Sequence, residues 1–405
     1  MLIGMQVDAV NASSPALQGL WFVLIGVLWI GFFFLEGFDF GIGMLIPFIG
    51  GKSDAKRRVM VNVVGPTWDG NEVWLLTAGG ATFAAFPTWY ANLFSILYLP
   101  LFLVLVGLIA RGISFEYRSM HPETKWRNAF DWCNTIGSFI VTLVLGVGFA
   151  NFIRGVPANT MVNGLTGDLS TTEVFIHRFF GLFNGYGLLG GVMLVVLFLA
   201  HGAQFLSIKT MDEVGASARK VADMLTPVAA VLMAAFVAWG TLLYAGDNPF
   251  TEGWGVAVRW IVGIISVIAL VAAALLGRKG RPGLAFIGSG LAIATWVINV
   301  WVTIYGTLGI GVQDDATKLF FSKITFGVWK GEGGLFGGAS PMSMFASSEG
   351  TLGLMRTFAF IMVPIVLLYI IWTYWVFRKR LNTVNIPVSG KISAHSVDHA
   401  NALAK

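Results

Sequence analysis

The sequence predicts an all-α integral membrane protein with nine transmembrane helices. Three observations carry this. The chain has 405 residues, of which 56% are hydrophobic and only 12% charged, whereas a soluble domain carries about 25% charged residues. Its apolar stretches reach the roughly 20 residues that a helix needs to cross a bilayer, and nine of them can be placed. Its basic residues also divide between alternate loops in the way that orients membrane proteins.

The first span covers about 18–48 and is apolar except for Glu36 and Asp39. The second, about 61–86, has its polar block near its start, with Pro66 suited to a first helical turn. The third, about 89–112, ends on Arg111, and the fourth runs over about 132–153. The fifth, about 185–207, holds His201 and a glycine run from Gly187 to Gly191. The last four, about 222–245, 257–277, 283–306 and 356–377, are apolar apart from Asp223, Arg259 and Arg356 close to their starts. Nothing at the N-terminus reads as a cleavable signal: a basic start is missing and the first span is too long for a signal core.

If the loop Gly51–Arg58 is cytoplasmic, alternation places most of the 26 Lys and Arg residues on that side. Only Arg154, Arg178, Arg259, Lys318, Lys323, Lys330 and Arg356 fall on the other. This bias predicts an outside N-terminus and an inside C-terminus. It also explains the net charge of +5 without invoking nucleic acid. A single polytopic domain, 1–380, is expected, followed by a polar tail, 381–405. Two outer connections are long, about 154–184 and 307–355. Long loops are often functional, and a lid or a poorly ordered Gly-rich segment are both open readings of the second. No short-period repeat is visible.

The acidic residues within spans are the chemical signal. A charge at bilayer depth costs about 2.5–3.5 kcal/mol on insertion scales, and such residues normally face a bundle interior or a wet cavity. Glu36 and Asp39 lie three apart, on one face of a helix. Gly37, Gly41 and Gly43 around them predict either a close helix approach or a break. Asp69 and Glu72 sit with Asn71 between Trp68 and Trp74, near the cytoplasmic end of span 2. These four acids read as a proton or ion route. The alternatives are polar contacts that tie helices together and acids that complement a helix dipole. Arg111 is a candidate partner for a buried acid, or a snorkelling topology anchor.

Metal and cofactor chemistry finds little support. Cys133 is the one cysteine, which excludes an internal disulfide or a thiolate site. Of five histidines only His201 lies in a span, and one intramembrane histidine cannot form a bis-His haem site. It reads better as a satisfied core residue than as a ligand. The methionines are scattered filler, and the intramembrane glycines suit helix packing rather than phosphate binding.

Several segments together resemble subunit II of the cytochrome bd-type quinol oxidases, including the cyanide-insensitive branch. The resemblance rests on Glu36 to Met44, Gly65 to Trp74, Thr77 to Pro87, Arg111 to Arg118 and Trp126 to Trp132, with weaker echoes at Gly146 to Pro157, His201 to Gln204 and Ser347 to Thr351. It implies nine helices in two four-helix bundles plus one peripheral helix, in a bacterial cytoplasmic membrane. It implies a partner, a haem-bearing subunit I that carries haems b and d and oxidises quinol while oxygen is reduced to water. This chain would carry no axial ligand. It would contribute a cytoplasmic proton route and an apolar oxygen route, with room for a structural quinone, lipid and small accessory membrane subunits. Asp69 matches the acid assigned to the proton route; Glu72, Glu36, Asp39 and Arg111 fall in neighbouring motifs. Two departures stand out: Thr67 where many relatives have His, and an extended connection from Thr307 to Met355. A proton-coupled secondary transporter is the alternative, but all four intramembrane acids precede residue 73. A third reading is a purely structural partner of the haem subunit.

Overall fold

A computed structural model describes residues 13–154, 156–157, 179–243, 254–305, 310–314, 318–320 and 345–384. Most of the two long outer connections and of the expected polar tail lies outside these residues.

The chain is helical almost throughout. Helix α1 spans Pro15–Gly50, with Pro15 in its first turn and Gly51 in the left-handed region at φ 53° ending it. Next come α2 (Asp54–Val64), α3 (Trp68–Ala85), α4 (Pro87–Ile96), α5 (Tyr98–Tyr117) and α6 (Thr124–Arg154). The second half holds α7 (Gly185–Lys209), α8 (Asp212–Leu242), α9 (Trp254–Arg278), α10 (Pro282–Ile304) and α11 (Glu349–Val376). Three short strands, β1 (Val156–Pro157), β2 (Ile310–Asp314) and β3 (Lys318–Phe320), pair in that order. β1 runs parallel to β2, which joins the α6–α7 connection to the α10–α11 connection.

Among the described residues, eight helices are long and apolar enough to cross a membrane: α1 and α5 to α11. The second expected span is not one helix. α2 ends at Val64 and α3 starts at Trp68, because Pro66 lacks the N–H that would continue the helix. Pro66 therefore sits in the turn ahead of α3, not in its first turn. With 18 residues α3 is about 27 Å long, close to the hydrocarbon thickness, but its first turns are polar. The third expected span is likewise divided, into α4 and α5 at Leu97.

Helix ends also lie beyond the apolar stretches. α6, α8 and α11 begin at Thr124, Asp212 and Glu349, several residues before the expected 132, 222 and 356. Hydropathy registers only the part at lipid depth, whereas hydrogen bonding carries the helix on into water. For α11 the start is a cap: Ser348 Oγ accepts the Thr351 N–H at 3.3 Å.

α1 is the hub. It packs against α2, α3, α6, α7 and α10, and Glu36 to Ile46 form an unbroken buried run. The glycines there serve close approach, not a break. A Cβ on Gly202 of α7 would lie 2.7 Å from the Gly41 carbonyl carbon, so the two backbones touch at this crossing. In lipid, where helices gain no hydrophobic drive to associate, such contact and the packing it permits hold the bundle together. Phe33, Phe149 and Trp296 fill the interior beside it, with ring centroids 4.7 Å apart for Phe33–Phe149 and 5.3 Å for Phe33–Trp296.

α11 is the opposite case. Leu352 is its one buried residue, and the helix is fixed mainly at its ends. Trp21 Nε1 donates to Leu352 O at 3.0 Å, and Ser347 Oγ donates to Ala84 O at 2.7 Å. At the far end Leu381 N donates to Lys209 O at 2.8 Å, and Met211 N to Leu381 O at 2.9 Å.

Candidate functional site

Glu36 and Asp39, one helical turn apart, project from the buried face of α1 toward α3 and α5, and both are 0% exposed. Arg111, also 0% exposed, meets them from α5. Its Nη2 lies 3.1 Å from Glu36 Oε2 and 3.5 Å from Asp39 Oδ2, and its Nη1 lies 3.3 Å from Glu72 Oε2. Arg111 is thus no snorkelling anchor. α5 continues past it to Tyr117, which leaves the guanidinium inside the bundle. Its flat faces are covered by Phe40 at 4.8 Å and Phe115 at 5.3 Å, and Trp68 stacks on Phe115 at 5.1 Å.

α3 supplies the rest. Asn71, 2% exposed, donates from Nδ2 to Asp39 Oδ2 at 2.8 Å and accepts at Oδ1 from the Tyr374 hydroxyl at 2.8 Å. The Glu72 side chain retains 22% exposure. Asp69, in the first turn of α3, is exposed. Exposure therefore falls from Asp69 through Glu72 to Asp39 and Glu36. Trp74 is not at the cluster. It packs on α1, where a Cβ at Gly31 would strike its indole. Thr67 is buried and donates to Val64 O at 3.2 Å, beside Tyr374.

The cluster is under-bonded. One guanidinium faces three carboxyl groups. Glu36 Oε1 and Oε2, Asp39 Oδ1 and Arg111 Nε and Nη2 form no hydrogen bond with described groups. Arg111 therefore holds Glu36 and Asp39 by charge rather than by aligned hydrogen bonds.

Two features escaped sequence reasoning. Tyr374 lies 303 residues from Asn71, and a tyrosine near the end of an apolar span carries no local sign of an internal role. The other is a network at the α1–α2 end. Asp131 of α6, 2% exposed, binds Arg118 Nε at 2.6 Å and Arg57 Nη1 at 3.1 Å. Asp54 binds Arg118 at 2.8 Å and Arg127 at 2.6 Å. Burial alone would lower the Arg118 pKa; the bonds and charges of Asp131 and Asp54 outweigh it and raise it above the ordinary value. Arg118 and Asp131 stand in two of the blocks that carry the family resemblance, but nothing local pairs them.

His201 is 0% exposed, with Nδ1 2.7 Å from Ser289 Oγ and Nε2 3.1 Å from Phe34 O. Both ring nitrogens are engaged, as suits a core histidine. His121, the other described histidine, is exposed and packs on Trp126 at 4.6 Å. The described residues contain no His, Cys, Asp and Glu group arranged for a metal ion, and no histidine pair fitted to hold haem. His177, His395 and His399 lie outside them.

A many-spanned helical membrane protein whose interior holds an acid-rich ion cluster is the class these observations define. The profile of the cytochrome bd terminal oxidase subunit II family matches residues 17–377, and the chain belongs to that family. It is 34% identical over 394 residues to cytochrome bd-I ubiquinol oxidase subunit 2 of Escherichia coli K12, covering 91% of this chain and 96% of that one. It is 34% identical over 368 residues to cytochrome bd ubiquinol oxidase subunit 2 of Bacillus subtilis, covering 91% and 97%. The fold is similar to a chain of the bd oxidase from Geobacillus thermodenitrificans, with TM-score 0.58 and 17% identity over 90% of this chain and 100% of that one. The chain is therefore a subunit of a terminal oxidase enzyme that contains haem, a multi-pass protein of the bacterial cytoplasmic membrane with a subunit I as its partner.

Proposed function

We propose that this chain is the haem-free subunit of a quinol-oxidising, oxygen-reducing complex, and that it carries protons from the cytoplasm toward the haem-bearing partner. Asp69 takes up the proton at the exposed start of α3, Glu72 passes it inward, and Glu36 and Asp39 hold it at the partner-facing interior. Arg111 keeps the acids together and limits how much charge they leave uncompensated. Asn71 orients Asp39, while Trp68 and Trp74 brace α3 against α5 and α1. The observation that carries this reading is the graded exposure along Asp69, Glu72 and Asp39, ending at oxygen atoms with no hydrogen bond from the described protein. Each carboxyl can gain and lose a proton without bulk solvent, and the surplus of acid over base leaves a proton to move.

In this reading α3 is the ninth crossing, and residues 1–380 form one domain with its N-terminus outside and a cytoplasmic tail, 381–405. α1, α3, α5 and α6 form one four-helix bundle, α7 to α10 the other, and α11 lies at the periphery. The contacts of α1 with α3 and α6, and of α8 with α7 and α9, support it. The partner supplies haems b and d; quinone, lipid and small accessory subunits complete the assembly. The transporter alternative requires a broken helix around a central substrate site, and α1 is continuous through Glu36 and Asp39.

The test replaces Asp69 with Asn and Glu72 with Gln in the assembled complex and measures quinol-driven oxygen consumption per haem. Turnover is expected to fall about a hundredfold or more, the scale of a lost proton-transfer group, with haem content intact. Wild-type turnover in both variants would remove the proton role.

A further inference from the structure

We propose that Tyr374 is a positioning residue for the proton route, through its hydrogen bond to Asn71. The inference rests on the reading above and adds a part of the site that α11 supplies. The Tyr374 hydroxyl donates to Asn71 Oδ1 at 2.8 Å, and Asn71 Nδ2 donates to Asp39 Oδ2 at 2.8 Å. A primary amide has nearly the same shape either way round, so its partners decide which end faces which. Asn71 is 2% exposed, and bulk water cannot hold it. The phenol, a donor at this contact, fixes the oxygen outward and the NH2 group toward Asp39. Turned over, the amide oxygen would face Asp39 Oδ2, and that contact requires a proton on the carboxyl. Tyr374 thereby selects the state in which Asp39 can receive a proton.

The carrier of this hydroxyl matters. α11 buries only Leu352 and is tied down near its ends. Tyr374 leans its ring edge-on to Phe38 at 6.3 Å, which aims the hydroxyl between α1 and α3. The charged groups around Asn71 and Tyr374 are Glu36 and Asp39 from α1, Asp69 and Glu72 from α3, and Arg111 from α5. α11 thus reaches the cluster through this phenol.

The experiment uses the assembled complex and reads everything per haem, so that only folded molecules count. Tyr374→Phe keeps the ring and removes the donor. Quinol-driven oxygen consumption is expected to drop about fivefold, the size of one neutral hydrogen bond. The pH of half-maximal turnover is expected to move by about 0.7 unit, the pH equivalent of the same factor. The carboxyl band of Asp39 in the redox-difference infrared spectrum, identified by its loss in Asp39→Asn, should shift. Tyr369→Phe, on the exposed side of α11, should change none of these. In an Asn71→Ala background, Tyr374→Phe should have no further effect, because its route of action is gone. Wild-type turnover and pH profile in Tyr374→Phe would overturn the proposal, as would an effect that multiplies with that of Asn71→Ala. An impaired Asp39→Asn beside a silent Tyr374→Phe would sink the positioning role alone; a silent Asp39→Asn would sink the proton route itself.

Discussion

Two polar clusters lie on either side of the Gly41–Gly202 crossing, and they are built to opposite rules. On α1 the pair Glu36 and Asp39, three residues apart, meets Arg111, Asn71 and Glu72. On α7 the pair His201 and Gln204, also three apart, meets Ser289 and Thr226. Ser289 Oγ lies 2.7 Å from His201 Nδ1 and 2.5 Å from Gln204 Oε1, and Gln204 Nε2 donates to Thr226 Oγ1 at 3.0 Å. The α7 cluster consists of uncharged-capable groups, and its polar side-chain atoms all find partners. The α1 cluster is ionic, leaves oxygen atoms without a hydrogen bond, and connects outward through Glu72. Polarity at bilayer depth is therefore not in itself a sign of transport. A closed network ties helices together; one with spare lone pairs and a graded way out can hold and pass a proton.

The comparison breaks most visibly at Arg111. Arg111→Met would strand buried acids without their countercharge, a loss of about 3–5 kcal/mol. The complex should fail to assemble or should lose haem, read by the visible spectrum of purified membranes. Full assembly with normal turnover would mean that the acids do not need their cation.

A smaller effect is expected on the neutral side. Ser289→Ala removes the hydroxyl between His201 and Gln204, at a cost of about 1–3 kcal/mol. The complex should melt at a lower temperature while its oxygen consumption per haem stays at the wild-type level. A large loss of turnover at unchanged Tm would put the α7 cluster into the proton route and erase the distinction drawn here.

The smallest effect lies outside the membrane, where solvent screens charge. Lys56 on α2 pairs with Glu213 at the start of α8, and hydrogen bonding and charge from Lys56 hold the Glu213 carboxyl below its usual pKa. A lowered carboxyl contributes stability above its unfolded pKa and loses it as pH falls through the folded one. Glu213→Gln should therefore cost a slight drop in Tm at neutral pH that disappears in acid and in high salt. A deficit that persists below the carboxylate range would exclude this pair as its source.

The sequence was most legible where neighbours along the chain decide the matter. The spacing of Glu36 and Asp39 put them on one face, and their charge demanded an interior position. His201, expected inside a span, is buried there with both ring nitrogens engaged. Hydropathy placed nine crossings, of which eight coincide with helices long and apolar enough to cross; it missed the α2–α3 break, although Pro66 marks it, and the α4–α5 break at Leu97, although Pro100 just beyond lacks the N–H that would bond the Ile96 carbonyl. It also trimmed the starts of α6, α8 and α11, because a helix continues into water beyond its apolar part. Arg111 was legible as a possible partner of buried acids, yet its place near the end of an apolar stretch allowed the anchor reading equally well.

By itself the sequence determined the class of protein, the position of most of its apolar helices and the interior place of Glu36 and Asp39. Local spacing and transfer free energy suffice for that, since each can be read within a turn or a span. Only the tertiary structure decided which groups meet: Arg111 with three acids, Asp131 with Arg118 and Arg57, and Tyr374 with Asn71. Those pairings span tens to hundreds of residues, and they exist only because α1, α2, α3, α5, α6 and α11 pack so that side chains far apart in sequence meet.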